Sequence, residues 1–148
     1  MRIAVEQVKQ DMQEQVIIQC YEVTDKVERI INFVKSAEDS MAGYVNDKVC
    51  QVFLQDIFYV EAVDNRIFAY AEKETFELKL KLYEFEKTYE WQRFFRCSKS
   101  MVVNLMKIDS VYPILNGRFA ARMFNGEEVI ISRQYVPALK SILSGGVV

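Results

Sequence analysis

Histidine is absent from the 148 residues. With it go the commonest general base, the commonest metal ligand and every Ser-His or Cys-His nucleophile pair. The three cysteines, Cys20, Cys50 and Cys97, stand far apart with no Cys-x-x-Cys pair, so neither a zinc site nor a complete disulfide framework is readable. Five glycines and two prolines exclude collagen-like and linker-like chains, and the glycines form neither a GxGxxG turn nor a phosphate loop. No apolar run nears the roughly 18 residues needed to cross a bilayer. The opening Met1-Arg2-Ile3-Ala4-Val5 runs at once into Glu6, Gln7 and Lys9, too polar for the core of a signal peptide. These absences set the expectations of a cytoplasmic location, no metal and no cofactor.

Apolar side chains are plentiful: 51% of residues are hydrophobic and 13% aromatic, enough for a sizeable core in one domain-sized unit. The net charge of −2 argues against a binder of the strongly basic kind, but it averages a gradient. Residues 1–43 carry five basic and eight acidic side chains, a net −3. Residues 91–148 carry eight basic and three acidic ones, a net +5. Such asymmetry hints at an anionic partner for the basic end; an unevenly charged but idle surface is the alternative.

Residues 2–9 and 15–22 read as two short strands, with Ile3, Val5 and Val8 in the first and Val16-Ile17-Ile18 in the second. Thr24 or Asp25 can cap a helix to about Ser36, since Val27, Ile30, Ile31 and Val34 recur at spacings of three and four. Residues 36–43 are the best candidate boundary, which divides the chain into a β-β-α extension, 1–43, and a second domain, 44–148. Strands are expected at 48–53, 57–63, 66–71 and 75–78, a short helix at 79–89, a strand at 95–98, a turn or short helical piece at 101–104 and a strand from Ile108 to Leu115. Asn116-Gly117 and Asn125-Gly126 each suit the positive φ angles of a type I′ hairpin, giving a three-stranded meander. Ser132 can cap a last helix to about Leu143, with Pro137 in its first turn and Gly145-Gly146 beyond its end.

Catalysis finds little support. The carboxylate pairs Asp56/Glu61, Glu72/Glu74 and Glu84/Glu86 are what strand and helix surfaces generate routinely, and Cys97 between Arg96 and Ser98-Lys99 reads as a reactive thiol or as a plain part-buried cysteine. No enzyme activity is expected. The polar residues of the second half fall at element ends: Asn65-Arg66 between strands, Ser98-Lys99-Ser100 after a strand, Asn104 in an apolar bend and Ser132-Arg133 at a helix start. Arg and Asn can read guanine and adenine in the major groove, while Lys, Ser and a helix N-terminus suit phosphate. Each also has a plain structural reading: Asn65 as a turn residue, Asn104 as a satisfied buried amide, Ser132 as a cap, Arg133 in a surface ion pair.

The order of these motifs carries more than their composition. Ile57-Phe58-Tyr59-Val60-Glu61-Ala62, Phe94-Phe95-Arg96-Cys97-Ser98-Lys99-Ser100-Met101-Val102-Val103-Asn104, Ile108, Asn116-Gly117, then Gly126 through Val129-Ile130-Ile131-Ser132-Arg133-Gln134-Tyr135 and Leu139-Lys140 resemble the LytTR DNA-binding domain over residues 47–143. One departure is Ser98, where many members have His or Arg. The resemblance implies a mainly β (α+β) fold of packed small antiparallel sheets with short helices. It also implies a bacterial, non-enzymatic transcription regulator that reads double-stranded DNA through loops. By position, Asp64-Asn65-Arg66, Asn104 and Ser132-Arg133 would be the base-reading elements, with Arg96, Lys99, Ser100 and Lys107 on phosphate and Ser98 beside them. It further implies a stand-alone regulator without a receiver domain, binding as a homodimer at repeated sites and restrained by a multipass membrane protein. Residues 1–43 lie outside the resemblance and are expected to serve dimerisation or regulation without touching DNA. The rival reading is a protein-interaction module with an incidental basic patch.

Overall fold

A computed structural model of the chain describes residues 1–36, 39–90 and 93–144. The first regular element is α1 (Asp25–Ser36), begun where the Val27 N–H donates to Thr24 Oγ1 at 3.4 Å. That bond satisfies one of the amides a helix start leaves without a partner. Asp25 and Glu28 in its first turn and Lys35 in its last match the helix dipole. The two strands expected within residues 2–22 do not form. Residues 1–24 contain neither helix nor strand, because an isolated pair of strands is marginal in water without a third strand or a packed face.

Among the described residues ten strands follow: β1 (Ser40–Val45), β2 (Lys48–Phe53), β3 (Tyr59–Val63), β4 (Arg66–Tyr70), β5 (Thr75–Leu78), β6 (Phe94–Ser98), β7 (Met101–Asn104), β8 (Ile108–Pro113), β9 (Phe119–Met123) and β10 (Glu128–Ile131). The first seven make one antiparallel sheet in the order β2-β1-β5-β4-β3-β7-β6, and the last three a meander in the order β10-β9-β8. Helices α2 (Leu82–Thr88) and α3 (Val136–Leu143) are the other two α-helices among the described residues. The last helix is led in by a 3-10 turn at Arg133–Tyr135 and carries a proline in its first turn. The expected Gly145-Gly146 stop lies outside the described residues.

Several boundaries move. The break at 43/44 falls inside β1, where Gly43 is buried and a Cβ would meet Val52 Cγ2 at 2.5 Å and Phe76 Cβ at 2.9 Å; Gly43 is therefore a close-packing residue of the sheet rather than part of a linker. Ala37 and Glu38, in that expected boundary, lie outside the described residues. Helix α2 starts three residues later than expected, where the Lys81 N–H donates to Glu84 Oε1 at 3.0 Å. Residues 101–104, expected as a bend, are instead strand β7, paired on both sides by β3 and β6. Their continuous apolar run is that of a strand buried on both faces.

Strand alternation builds two cores. Val60 and Val102 face a cluster with Leu54, Ile57, Phe76, Leu78, Phe85 and Phe94 under α2. The next residue of β7, Val103, faces the opposite way into a cluster with Cys97, Met123, Val129, Ile131 and Leu139, where the meander and α3 pack on the large sheet. Of the two Asn-Gly turns, Asn116 and Gly117 both take positive φ, +66° and +74°. At the second only Gly126 does, +89°, and its N–H donates to the Met123 carbonyl at 2.9 Å. That is the three-residue loop with a glycine bulge, and the first loop also holds three residues, 115–117, closed by the Ile114 N–H donating to the Arg118 carbonyl at 2.9 Å, so neither is the two-residue type I′ turn expected.

Candidate functional site

Two tight turns come out at one end of the large sheet. The register Val63↔Arg66 closes β3 on β4 through Asp64 (φ +52°) and Asn65 (φ +63°), the paired positive angles of a type I′ turn. The register Glu61↔Met101, with the Ala62 N–H donating to the Ser100 carbonyl at 2.8 Å, sets the β6–β7 turn at Lys99-Ser100 beside it. The meander is tied to this end by the Ser132 N–H, which donates to the Cys97 carbonyl at 2.8 Å.

These constraints bring Ser98, Lys99, Ser100, Ser132, Arg133 and Gln134 together around one open groove of ≈ 400 Å³. No carboxylate lines it. Lys99 and Arg133 are exposed and, among the described residues, neither side chain has an ion-pair partner. Residues more than thirty positions apart thus become one cationic, hydroxyl-bearing surface. Gln134 had no charge or motif to single it out beyond its place directly after Ser132-Arg133.

The side chains around the groove divide into those that face out and those that hold the loops. Arg96, expected on phosphate, turns inward. Its Nε donates to the Ser98 carbonyl at 2.6 Å, Nη2 to the Lys99 carbonyl at 2.5 Å and Nη1 to Glu86 Oε1 at 3.0 Å, so the guanidinium fills the acceptors the turn leaves open. Ser98 Oγ accepts from the Ser100 N–H at 3.2 Å, a local side-chain turn that shapes the same loop. Ser132, expected as a helix cap, makes no capping bond; its carbonyl takes the Tyr135 N–H at 2.9 Å, which leaves the hydroxyl to the groove. Arg66 is forked onto Glu77, Nη2 to Oε1 at 2.8 Å and Nε to Oε2 at 3.2 Å, and lies over the Phe68 ring at 5.2 Å. That pair holds the Glu77 carboxyl below the usual carboxylate range, the hydrogen bonds from Arg66 being the main cause.

Two expected contacts are not brought to this surface. Asn104 is 3% exposed; its Nδ2 donates to the Ile57 carbonyl at 2.9 Å and its Oδ1 accepts from the Met106 N–H at 3.0 Å. It is the satisfied buried amide, at the far end of β7, about 13 Å of strand from Ser100. Lys107 lies beyond it, over the Phe58 ring at 5.1 Å. Cys97 is fully buried, and desolvation pushes its thiol up to about 12, so it is packing and not a nucleophile at neutral pH.

A residue absent from every sequence-based expectation about the site is Gly117. A Cβ there would stand 2.9 Å from Arg133 Cδ and 3.1 Å from Cγ. The β8–β9 turn is the wall against which the Arg133 stem rests.

The family model of the LytTr DNA-binding domain matches residues 47–144. Two similar chains are named uncharacterized HTH-type transcriptional regulators, from Staphylococcus aureus strains bovine RF122 / ET3-1 and NCTC 8325 / PS 47. Each is 30% identical over 124 residues, covering 82% of this chain and 84% of the relative. A solved LytTr DNA-binding domain from Bacillus cereus superposes with a TM-score of 0.67 at 30% identity, covering 72% of this chain and 97% of that one. The matched span contains both turns, the groove and the whole meander, and with the shared fold it makes this chain a member of the LytTR DNA-binding family.

Proposed function

We propose that the protein is a cytoplasmic transcription regulator that binds double-stranded DNA as a homodimer at repeated sites. The observation that carries this reading is the groove. A LytTR-family domain gathers two unpaired cations and three serine hydroxyls from separate parts of the chain onto one open, carboxylate-free surface. Lys99, Ser98, Ser100 and Ser132 take phosphate, and Arg133 takes a base edge with the Asn65 turn and Arg66 beside it. Arg96 and Asn104 hold the loops from behind. Loops do the reading, because among the described residues the three α-helices are separated by strands and present no helix-turn-helix pair. Two linked domains on adjacent half-sites gain affinity through effective concentration.

Mobility-shift titration against genomic fragments over a range of salt tests the reading. A DNA reader loses affinity steeply as salt rises and still prefers some fragments over others. Weak binding without salt dependence or sequence preference would leave the protein-interaction module as the better account.

A further inference from the structure

We propose that residues 1–24 form a β-arm that pairs with the same arm of a second copy of this chain. The assignment rests on the dimer reading above and names the surface that makes the dimer.

The segment has the composition of strands and the bonding of none. Among the described residues, the only backbone hydrogen bond within positions 1–23 runs from the Met12 N–H to the Lys9 carbonyl at 3.0 Å. This bond closes a reverse turn halfway along. A two-residue loop at Gln10-Asp11 sets Ile3 opposite Ile18 and Val5 opposite Val16, because the positions of each pair are equally far from the turn. One face of such a ribbon then carries Ile3, Val5, Met12, Val16 and Ile18, with Gln7, Lys9 and Glu14 toward the turn, and the other carries Arg2, Glu6, Gln13, Gln15 and Gln19 with Ala4, Val8 and Ile17 among them. The first face is the more apolar, chiefly at the open end of the ribbon, and its own chain covers little of it: Ile3 and Val5 are each 89% exposed, Val16 65% and Met12 56%, while Ile18 is part-buried. Neither core cluster includes a residue before Met41.

A second copy fits this face better than any other occupant. Two ribbons of one sequence present the same apolar face to each other, as a two-fold interface requires, and four strands meet the minimum that two do not. The five side chains of the face, with Tyr21 and Val23 leading into α1, offer roughly 100 Å² each. The total, about 700 Å² per copy, is close to the roughly 800 Å² per partner of a specific interface. The arm also leaves the molecule away from the groove. Lys26, Arg29, Ile30 and Phe33 of α1 line a cavity with Arg93 and Met106, which flank the end of β6 and β7 opposite the Lys99-Ser100 turn. A dimer joined there keeps both grooves open to DNA.

Sedimentation equilibrium of the full chain provides the test, with Val5→Asp/Val16→Asp as the arm variant and Val49→Asp, on the exposed edge of β2, as the control. The wild type and Val49→Asp are expected to run at twice the chain mass. The double variant is expected to dissociate with its constant raised roughly a hundredfold, about 2.7 kcal/mol, and with half-site DNA affinity per chain unchanged. Hydrogen exchange provides a second readout that needs no variant: amides within residues 2–9 and 15–22, unbonded in the single chain, become protected in the wild-type dimer. A monomeric wild type, a double variant that stays dimeric, unprotected arm amides, or loss of half-site binding in the double variant would each overturn the proposal. Dissociation by Val49→Asp alone would move the interface to the β2 edge. If the DNA reading fails instead, no fragment is preferred, while the masses and the exchange pattern still report on the arm.

Discussion

Asn104 shows how burial changes the meaning of a polar residue. Its side-chain amide joins the Ile57 carbonyl before β3 to the Met106 N–H after β7, so truncation leaves two buried backbone groups without partners. Asn104→Ala is expected to cost about 2 kcal/mol of stability, read by urea denaturation, with DNA affinity per folded molecule unchanged. A full-affinity loss at wild-type stability would return Asn104 to the DNA surface. The exposed cations behave in the opposite way. Lys99→Ala should leave stability alone, weaken specific and nonspecific binding alike and reduce the salt slope by about one unit. Arg133→Ala should cost about 1–3 kcal/mol of specific affinity with nonspecific binding much less affected. Arg66 is restrained by Glu77, whose depressed carboxyl stays ionised at neutral pH and loses its hold only as pH falls through its lowered value. Glu77→Gln is therefore expected to release Arg66 and tighten DNA binding several-fold by freeing one more cation to face the DNA. In an Arg66→Ala background the gain should vanish; a gain that persists would assign it to the lost carboxylate charge rather than to the arginine.

At the level of elements, short turns place side chains that strands alone could not. Arg96 of β6 braces the Ser98 and Lys99 carbonyls, and the β8–β9 turn supports Arg133, which follows β10 of the same meander. Gly117 sits at φ +74° with the Arg133 stem against the place of its missing Cβ. Gly117→Ala is expected to strain the turn by about 1 kcal/mol and to displace Arg133, reducing specific binding about as far as Arg133→Ala does. If specific binding in Gly117→Ala matches the wild type while the melting temperature falls, the turn matters to folding alone. The strand of residues 101–104 was hidden from sequence reading by the run Met101-Val102-Val103, which does not alternate. Only the sheets on both of its faces explain that run. The second Asn-Gly pair likewise looks the same as the first in sequence, yet in two loops of equal length Asn116 turns left-handed and Asn125 does not.

For the molecule as a whole, helix α1 of the acidic extension meets the basic end at Arg93 and Met106, the end of β6 and β7 opposite the groove. The two cores are complete without residues 1–24, so their removal should leave the cooperative unfolding of the domain in place. Its main effect should be on association: the full chain's mass in solution should rise to twice the chain mass with protein concentration, and that of a chain lacking residues 1–24 should stay at one. A chain lacking residues 1–24 that still associates would argue that the extension contributes nothing to assembly.

The sequence by itself determined the mainly β texture, the capped helix at Asp25, the hairpin at Asn116-Gly117, the polar ends of the strands and the order of motifs that marks the family. These rest on local propensity and spacing, which any reader of the chain has in hand. The tertiary structure decided which polar side chains share a surface. Ser98 to Ser100 and Ser132 to Gln134 meet because the Ser132 N–H bonds the Cys97 carbonyl. Arg96 is withdrawn because the carbonyls of its own strand and turn and the Glu86 carboxylate of α2 claim it, and Asn104 because the Ile57 carbonyl and Met106 N–H do. Residues 2–22 do not become strands in a single chain, because a strand requires a partner that local sequence cannot supply.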